Sequence, residues 1–436
     1  MPQQHIECEF CFHNVGQGLF YTGHVDDLKF IYDCGSQKEA CAEKAVVSYC
    51  SAIQGKSSGK VSLLVLSHLH YDHISGLKAL LAHTTVEVAV LPYLTPWERL
   101  LLACVVPDYL QWYLDILKDP VGFLSEYKVG KVVLIAHGRP KEPNDRGGSD
   151  SSHRSGPDLI GDTPVDMREL ADLNEDDLHK IFQKEEENGN DWRKLYRDGK
   201  LMVKTHDGVF RLRNLWEFAL YNQPVADDCI EAFKNCVSQL PAPADYDKFP
   251  LTLLLKEKNF IKELRKCYCE DLMRDRDDLN FTSLVLWHGP INPDWWPKLQ
   301  WGHCPCYASD GIYRTKFALE ACAIGVGCSF VVDLFRKPAL GQLLTGDMNL
   351  NNNYEAFKGH LGTRLESTAV CLVPHHGSGH SWNNKIIEDL PWCKIWVISA
   401  GRENHYYHPH KEVLQDLLQR GKALCVVHEN LCLIIN

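Results

Sequence analysis

L-S-H-L-H-Y-D-H-I-S-G-L, residues 66–77, sets three histidines and an aspartate within six positions, directly after the apolar run V-S-L-L-V-L. The run reads as a buried strand. His68 and His70 lie two apart on an extended segment, so both side chains point the same way. Asp72 and His73 follow where the backbone turns into a short helix, read from Ser75 to about His83. Four nitrogen and oxygen donors can thus address two adjacent points in space. Imidazole and carboxylate without cysteine suit Zn, Mn or Fe. A lone histidine after a strand is more often a core or surface residue; three with an aspartate at this spacing are ligand chemistry.

Outward from this cluster the chain alternates strand and helix, an α/β pattern. Strands are read at 6–15, 18–24 and 28–35, and a helix over 38–54 carries Ala42, Ala45, Val46 and Tyr49 at helical spacing. Buried strands follow at 86–92 and 131–136. Residues 138–162 are rich in Gly, Pro, Ser and charge and read as a mobile loop. L-M-V-K-T-H-D-G-V-F-R-L-R (201–213) reads as a hairpin about Asp207-Gly208. Ile230, Phe233, Val237 and Leu240 mark an amphipathic helix, and a second, charged helix runs near 255–273. Strand patterns resume at 281–287, 329–335, 342–347, 370–374, 394–400 and 423–427 and at the C-terminal L-C-L-I-I, with a helix over 411–421 closed by Gly421. The organisation is two strand-and-helix halves, 1–95 and 278–436, around a long middle, 96–277.

The net charge of −11 excludes a protein coated in basic surface for tight, non-specific nucleic-acid binding. It leaves room for a metal site that brings its own positive charge. L-L-L-A-C-V-V-P (100–107) is the longest apolar candidate and is too short for a membrane helix. The N-terminus lacks a basic region followed by an apolar core, so no secretory signal is read there. Eighteen cysteines then imply free thiols in a reducing compartment, and so a cytoplasmic location. Cys371, Cys425 and Cys432 sit at apolar positions where cysteine acts as a small hydrophobe.

Two other clusters have both a sharp and a bland reading. His303, Cys304 and Cys306 with Cys322 and Cys328 could hold a structural zinc, but C-x-C is not a standard knuckle spacing and the last two cysteines lie in an apolar stretch. C-Y-C (267–269) is weaker still. The aromatic run W-H-G-P-I-N-P-D-W-W-P-K-L-Q-W (287–301) suits base stacking or a rigid loop over the core equally well.

H-L-H-Y-D-H is an H-x-H-x-D-H motif after an apolar strand and resembles the metallo-β-lactamase superfamily. V-G-Q-G (15–18), Y-D-C-G (32–35), N-x-x-S-L-V-L (280–286), L-L-T-G-D (343–347), P-H-H-G-S (374–378) and S-A-G-R-E-N-H-Y-Y-H-P (399–409) follow in the order seen in the soluble hydrolase-like domain of ComEC-type DNA-uptake proteins and their free-standing relatives. The layout also looks like bacterial phosphorylcholine esterases. The chain departs from the family in Asn14, where Asp is usual, and in His70, which restores the more general superfamily form. It also lacks the accompanying membrane channel, so DNA transport is not implied. The resemblance implies an αββα sandwich, here with a large insertion of mixed, mainly helical structure.

It further implies two divalent metal ions, zinc or manganese, at one sandwich edge. His68, His70 and His375 would hold the first, Asp72, His73 and His408 the second, with Asp347 shared and a bridging hydroxide as nucleophile. Of the adjacent pair, His375 is the favoured ligand and His376 its neighbour or a proton donor. Asp33 would orient the cluster by hydrogen bonds, and Ser378, Asn404 and Tyr406 could contact substrate phosphate. His405 and His410 are read as solvent-exposed or supporting. The function implied is phosphodiester cleavage, of nucleic acid or of a nucleotide. The alternatives are hydrolysis of a thioester, lactone or lactam, and a metal-bearing binding module whose 96–277 insertion recruits a protein partner.

Overall fold

The computed structural model describes residues 7–54, 59–104, 110–127, 129–137, 164–225, 227–239, 264, 282–291 and 340–435. Its strands, in chain order, are β1 (Cys8–Phe12), β2 (Phe20–Val25), β3 (Leu28–Cys34), β4 (Lys60–Val65), β5 (Thr85–Pro92), β6 (Lys131–Ile135), β7 (Val165–Asp166), β8 (Leu170–Asp172) and β9 (Leu201–Gly208). They continue with β10 (Phe210–Leu212), β11 (Trp216–Tyr221), β12 (Val285–Pro290), β13 (Gly341–Leu344), β14 (Thr368–Leu372), β15 (Ile395–Ser399), β16 (Ala423–Val427) and β17 (Leu433–Ile435). They form two sheets, ordered β17-β1-β2-β3-β4-β5-β6-β9-β8 and β16-β15-β14-β13-β12-β11-β10-β7.

Alternation along the strands explains the layering. On β4, Leu63 and Val65 face a core shared by both sheets, with Phe218, Leu286, Leu344 and Val397 opposite. Leu64 faces outward into a second core under helices Glu39–Gln54, Leu77–His83 and Pro96–Cys104. The second sheet repeats this, with Leu343, Cys371 and Trp396 packed under helices Tyr354–Leu361 and Lys411–Gln419. Both faces of each sheet are therefore covered, as parallel strands require. The result is an αββα sandwich, as the sequence implied. Each fully buried Leu, Ile, Val or Phe contributes about 1.5–3 kcal/mol relative to exposure.

The long middle segment is woven into this frame. β6, β8 and β9 extend the first sheet, and β7, β10 and β11 extend the second. Its helices cover the outer face of the first sheet, where Arg99 donates to both carboxylate oxygens of Glu185 at 3.0 and 2.7 Å in a fully buried pair. The predicted hairpin about Asp207-Gly208 is corrected. β9 pairs with β6 and β8, whereas β10 pairs with β7 and β11. Gly208, at φ +99°, turns the chain from one sheet to the other, and the hairpin comes one strand later, between β10 and β11.

Ten described cysteines are free, but Cys236 and Cys432 are disulfide-bonded, so the expectation of free thiols fails for those two. No helix among the described residues is long and apolar enough to cross a membrane. Trp287 and His288 are buried core residues of β12, not a stacking platform. Residues 292–301 of that run, the 138–162 loop, the strand read at 329–335, His303, Cys304, Cys306, Cys322, Cys328 and the C-Y-C segment lie outside the described residues.

Candidate metal centre

The C-terminal ends of β4, β13, β14 and β15 meet at one edge of the sandwich. Beyond β4 the chain enters the helix Tyr71–Ile74, with His70 in extended conformation at its start. The close approach of two glycines makes room for this turn. A Cβ on Gly35 would lie 2.3 Å from the His73 carbonyl carbon, and one on Gly18 would lie 2.3 Å from the Asp72 carbonyl oxygen. The last glycines of Y-D-C-G and V-G-Q-G thus let backbone touch backbone under the histidine turn. Asp33, His375 and His376 all have positive φ, uncommon outside glycine though aspartate and histidine adopt it more readily than most side chains, and all three sit at this edge.

Asp347 lies at the centre. Its Oδ2 is 3.8 Å from His68 Nε2 and 3.8 Å from His375 Nε2. Its Oδ1 is 3.1 Å from His73 Nε2 and 3.6 Å from His376 Nε2. Asp72 Oδ2 is 3.4 Å from His376 Nε2. Two groups of donors converge, each within 4.8 Å: His68, His70 and Asp347, and Asp72, His73 and His376. His408 stands at the rim, its ring 5.5 Å from that of His375 and 6.3 Å from that of His376.

The far side of four of these rings meets an oxygen. His73 Nδ1 donates to Asp33 Oδ2 at 2.7 Å. Asp33 also accepts from the Ser67 amide and hydroxyl, both at 2.6 Å. Because the Ser67 proton points at Asp33, Ser67 Oγ accepts from His68 Nδ1 at 2.8 Å. His376 Nδ1 donates to the Ser399 carbonyl at 2.7 Å, and His375 Nδ1 meets Ser381 Oγ at 2.9 Å. Nε2 of His68, His73 and His376 and Nδ1 of His408 are buried without a hydrogen-bond partner. Buried unpaired ring nitrogens aimed at carboxylates cost free energy unless a cation joins them. The donor set therefore fits divalent metal ions, in the arrangement by which metal-binding histidines are oriented.

The electrostatics are those of a cation site. Burial disfavours the charged form of His73, yet Asp347 and Asp33 outweigh it and hold its pKa well above the usual value. Burial likewise opposes charge on His376, and Asp347 and Asp72 again prevail. Against the same desolvation, His73, His376 and His375 keep Asp347 far below the usual carboxylate range. His376 and His73 do the same for Asp72. Burial lowers His68 and His70 and, with His376 and His375, pushes His408 down to about 3, so these three are neutral donors at neutral pH.

The other expected residues are near, in different circumstances. Asn404 spends its amide on the loop itself, donating to the Gly401 and His408 carbonyls at 2.7 Å and accepting the His408 amide at 2.8 Å. Tyr406 is 56% exposed with its ring stacked 5.7 Å from His408, so it stands at the mouth. Ser378 is buried, and its amide bonds the His375 carbonyl at 2.8 Å. His405 is exposed, and His410 Nδ1 accepts the Gly379 amide at 2.9 Å. Ser283, whose Oγ lies 3.1 Å from His68 Nδ1 and accepts the Asp347 amide at 3.3 Å, joins Ser67, Ser381 and the Ser399 carbonyl as supporting groups to which sequence reasoning assigned no role. Ser67 adjoins His68, and Ser283 and Ser399 lie within the quoted motifs, whereas Ser381 carried no signal.

Residues 20–167 match the family model of the metallo-beta-lactamase superfamily. ComE operon protein 3 of Bacillus subtilis (strain 168) is 40% identical over 78 residues, which are 18% of this chain and 9% of that protein. The structure of the metallo-beta-lactamase fold protein YhfI from Bacillus subtilis aligns with 98% of this chain and 99% of its own at 8% identity and a TM-score of 0.35, a likeness too low to carry an argument. The family match over residues 20–167, the paired sheets and the histidine–aspartate edge agree with one another, and together they support a metallo-β-lactamase-like chain with a ComEC-like motif set.

Proposed function

We propose that this edge is a two-metal hydrolytic centre that cleaves phosphodiester bonds in a nucleic acid or a nucleotide. One observation carries the two-metal reading: the two oxygens of Asp347 face separate donor sets, His68 and His375 on one side, His73 and His376 on the other. His68, His70 and His375 would hold one ion. Asp72, His73 and His376 would hold the other, with His408 nearby and Asp347 shared. Two divalent ions, zinc or manganese, supply an activated water and offset charge on the attacking and leaving oxygens.

The chain's own groups prepare that chemistry. Asp33, Ser67 and the Ser399 carbonyl lock three imidazoles with Nε2 facing the centre. Burial of Asp33, His68, His73 and Asp347 keeps bulk water away from one side. His408 and Tyr406 face the open side, where a substrate must enter. The choice of a phosphodiester rests on the ComEC-type motif order. The net charge of −11 favours a short or small diester over a long polyanion.

The test is to load the purified chain with Mn²⁺ or Zn²⁺ and offer plasmid DNA, single-stranded DNA, RNA and bis(p-nitrophenyl) phosphate beside an Asp72→Ala/His73→Ala variant. Metal-dependent cleavage lost in the variant supports the reading. Inactivity on all four substrates with two ions bound per chain sinks it.

A further inference from the structure

A second histidine cluster lies further along the same edge, apart from the centre above. His206 and Asp207 are at the end of β9, His137 follows β6, and His360 comes from helix Tyr354–Leu361, which packs on β11. One ligand atom from each of His206, Asp207 and His360 lies within 4.8 Å of the other two. The His206 and His360 rings are 4.6 Å apart, and His360 Nδ1 is 4.0 Å from Asp207 Oδ1. A tetrahedral zinc holds its nitrogen and oxygen donors about 3.3 Å apart, so side-chain movement of about an ångström closes the set.

The rings are anchored as metal ligands are. His206 Nδ1 donates to Asn222 Oδ1 at 2.8 Å, and His360 Nε2 donates to the Leu220 carbonyl at 2.8 Å. Those bonds leave His206 Nε2 and His360 Nδ1 as bare lone pairs. His137 bonds the backbone of Gln223, and its Nε2 is buried with no hydrogen-bond partner, its ring 6.3 Å from that of His206. All three anchors come from one short stretch, Leu220 to Gln223, at the end of β11. Burial pushes His137 down to about 3 and lowers His360, which keeps both neutral. Asp207 is 46% exposed, so an ion can reach the site from solvent.

We propose that His206, Asp207 and His360, with His137 beside them, bind a third divalent transition-metal ion, zinc by the chemistry of the donors. It would tie the end of the first sheet to the helix covering the second. Three strand spacings separate β4 from β9, about 14 Å, so this ion is distinct from those on Asp347.

The test is a metal count on the full chain, saturated with Zn²⁺ and freed of excess, beside His206→Ala/His360→Ala, Asp207→Asn and Asp72→Ala/His73→Ala. The expected result is one equivalent fewer in the His206→Ala/His360→Ala variant. That same equivalent remains in Asp72→Ala/His73→Ala, so the outcome is separate from the fate of the hydrolytic centre. Asp207→Asn, an exposed substitution that leaves the core untouched, decides if the histidine double variant does not fold. It should surrender one equivalent to a competing chelator at least tenfold more readily. A count unchanged in the double variant, or a chelator curve for Asp207→Asn matching the parent, overturns the proposal.

Discussion

Asp33 accepts the Nδ1–H of His73 at 2.7 Å in a place where neither side chain meets solvent, and the same carboxylate accepts from Ser67. The consequence is directional: His73 can offer only Nε2 to Asp347. Asp33 also has φ +56°, which asparagine tolerates nearly as well. Asp33→Asn therefore removes the charge without disturbing the backbone. Losing such an orienting partner typically costs 10–100-fold in metal affinity or activity. Chelator competition on the variant should show a loss in that range, and an unchanged affinity would mean that the Asp33–His73 pair serves folding alone.

His376 is the residue whose role the geometry most alters. Its Nε2 is 3.4 Å from Asp72 and 3.6 Å from Asp347, closer to the carboxylates than a distant proton donor need be. As a ligand, His376→Ala should lower the metal count by about as much as Asp72→Ala does. As a proton donor alone, it would leave the count intact and erase only one limb of the pH–rate profile. Metal analysis beside a pH series on bis(p-nitrophenyl) phosphate separates the two, and His408→Ala, measured in parallel, shows whether the rim histidine holds metal.

The histidine–aspartate cluster was legible because its chemistry is local: His68, His70, Asp72 and His73 are neighbours in sequence and remain so in space. Asp347, His375 and His376 were legible only through the family's motif order, since the strands that deliver them are set by sheet pairing. The hairpin about Asp207-Gly208 was misread because a glycine turn between two apolar runs has the same pattern whether the strands pair or part company. Which happens depends on distant partners, β6 for one strand and β11 for the other. The cluster of His206, Asp207 and His360 left no motif at all, because β9 supplies the first two and a helix far along the chain the third, while the end of β11 supplies the anchors.

Gly35 offers a test of the backbone contact beneath the turn. An added methyl would stand 2.3 Å from the His73 carbonyl carbon, 2.4 Å from the Asp72 oxygen and 2.5 Å from the Ile74 nitrogen, all backbone atoms with no freedom to swing away. Gly35→Ala should cost about 3 kcal/mol of stability, the upper end of ordinary overpacking. It should also loosen metal binding through Asp72 and His73. Gly359→Ala is the control, since a Cβ there meets nothing within 4 Å and the residue lies in helix Tyr354–Leu361. That change should stabilise by about 0.5–1 kcal/mol. Urea midpoints that move equally in both variants would refute the contact.

Acid should weaken the fold through a histidine remote from the metal edge. His288 is fully buried between the sheets; its Nδ1 accepts the Trp216 indole N–H at 3.0 Å, and its Nε2 meets Tyr21 Oη at 2.9 Å. Because the indole can only donate, Nδ1 carries no proton. Nε2 therefore donates to Tyr21, whose hydroxyl donates to Gln342 at 3.0 Å. Protonating His288 would break this chain, and burial pushes its pKa down to about 3 from 6.5. The unfolded chain takes up that proton first, so stability is intact above 6.5 and falls as the pH drops towards 3. At pH 5 the loss from this one side chain is about 2 kcal/mol. Urea unfolding at pH 7 and pH 5, compared with His288→Gln, should show the parent losing about that much more than the variant. Equal losses would place the acid sensitivity elsewhere, with His13, half-buried and lowered to about 3, the next residue to replace.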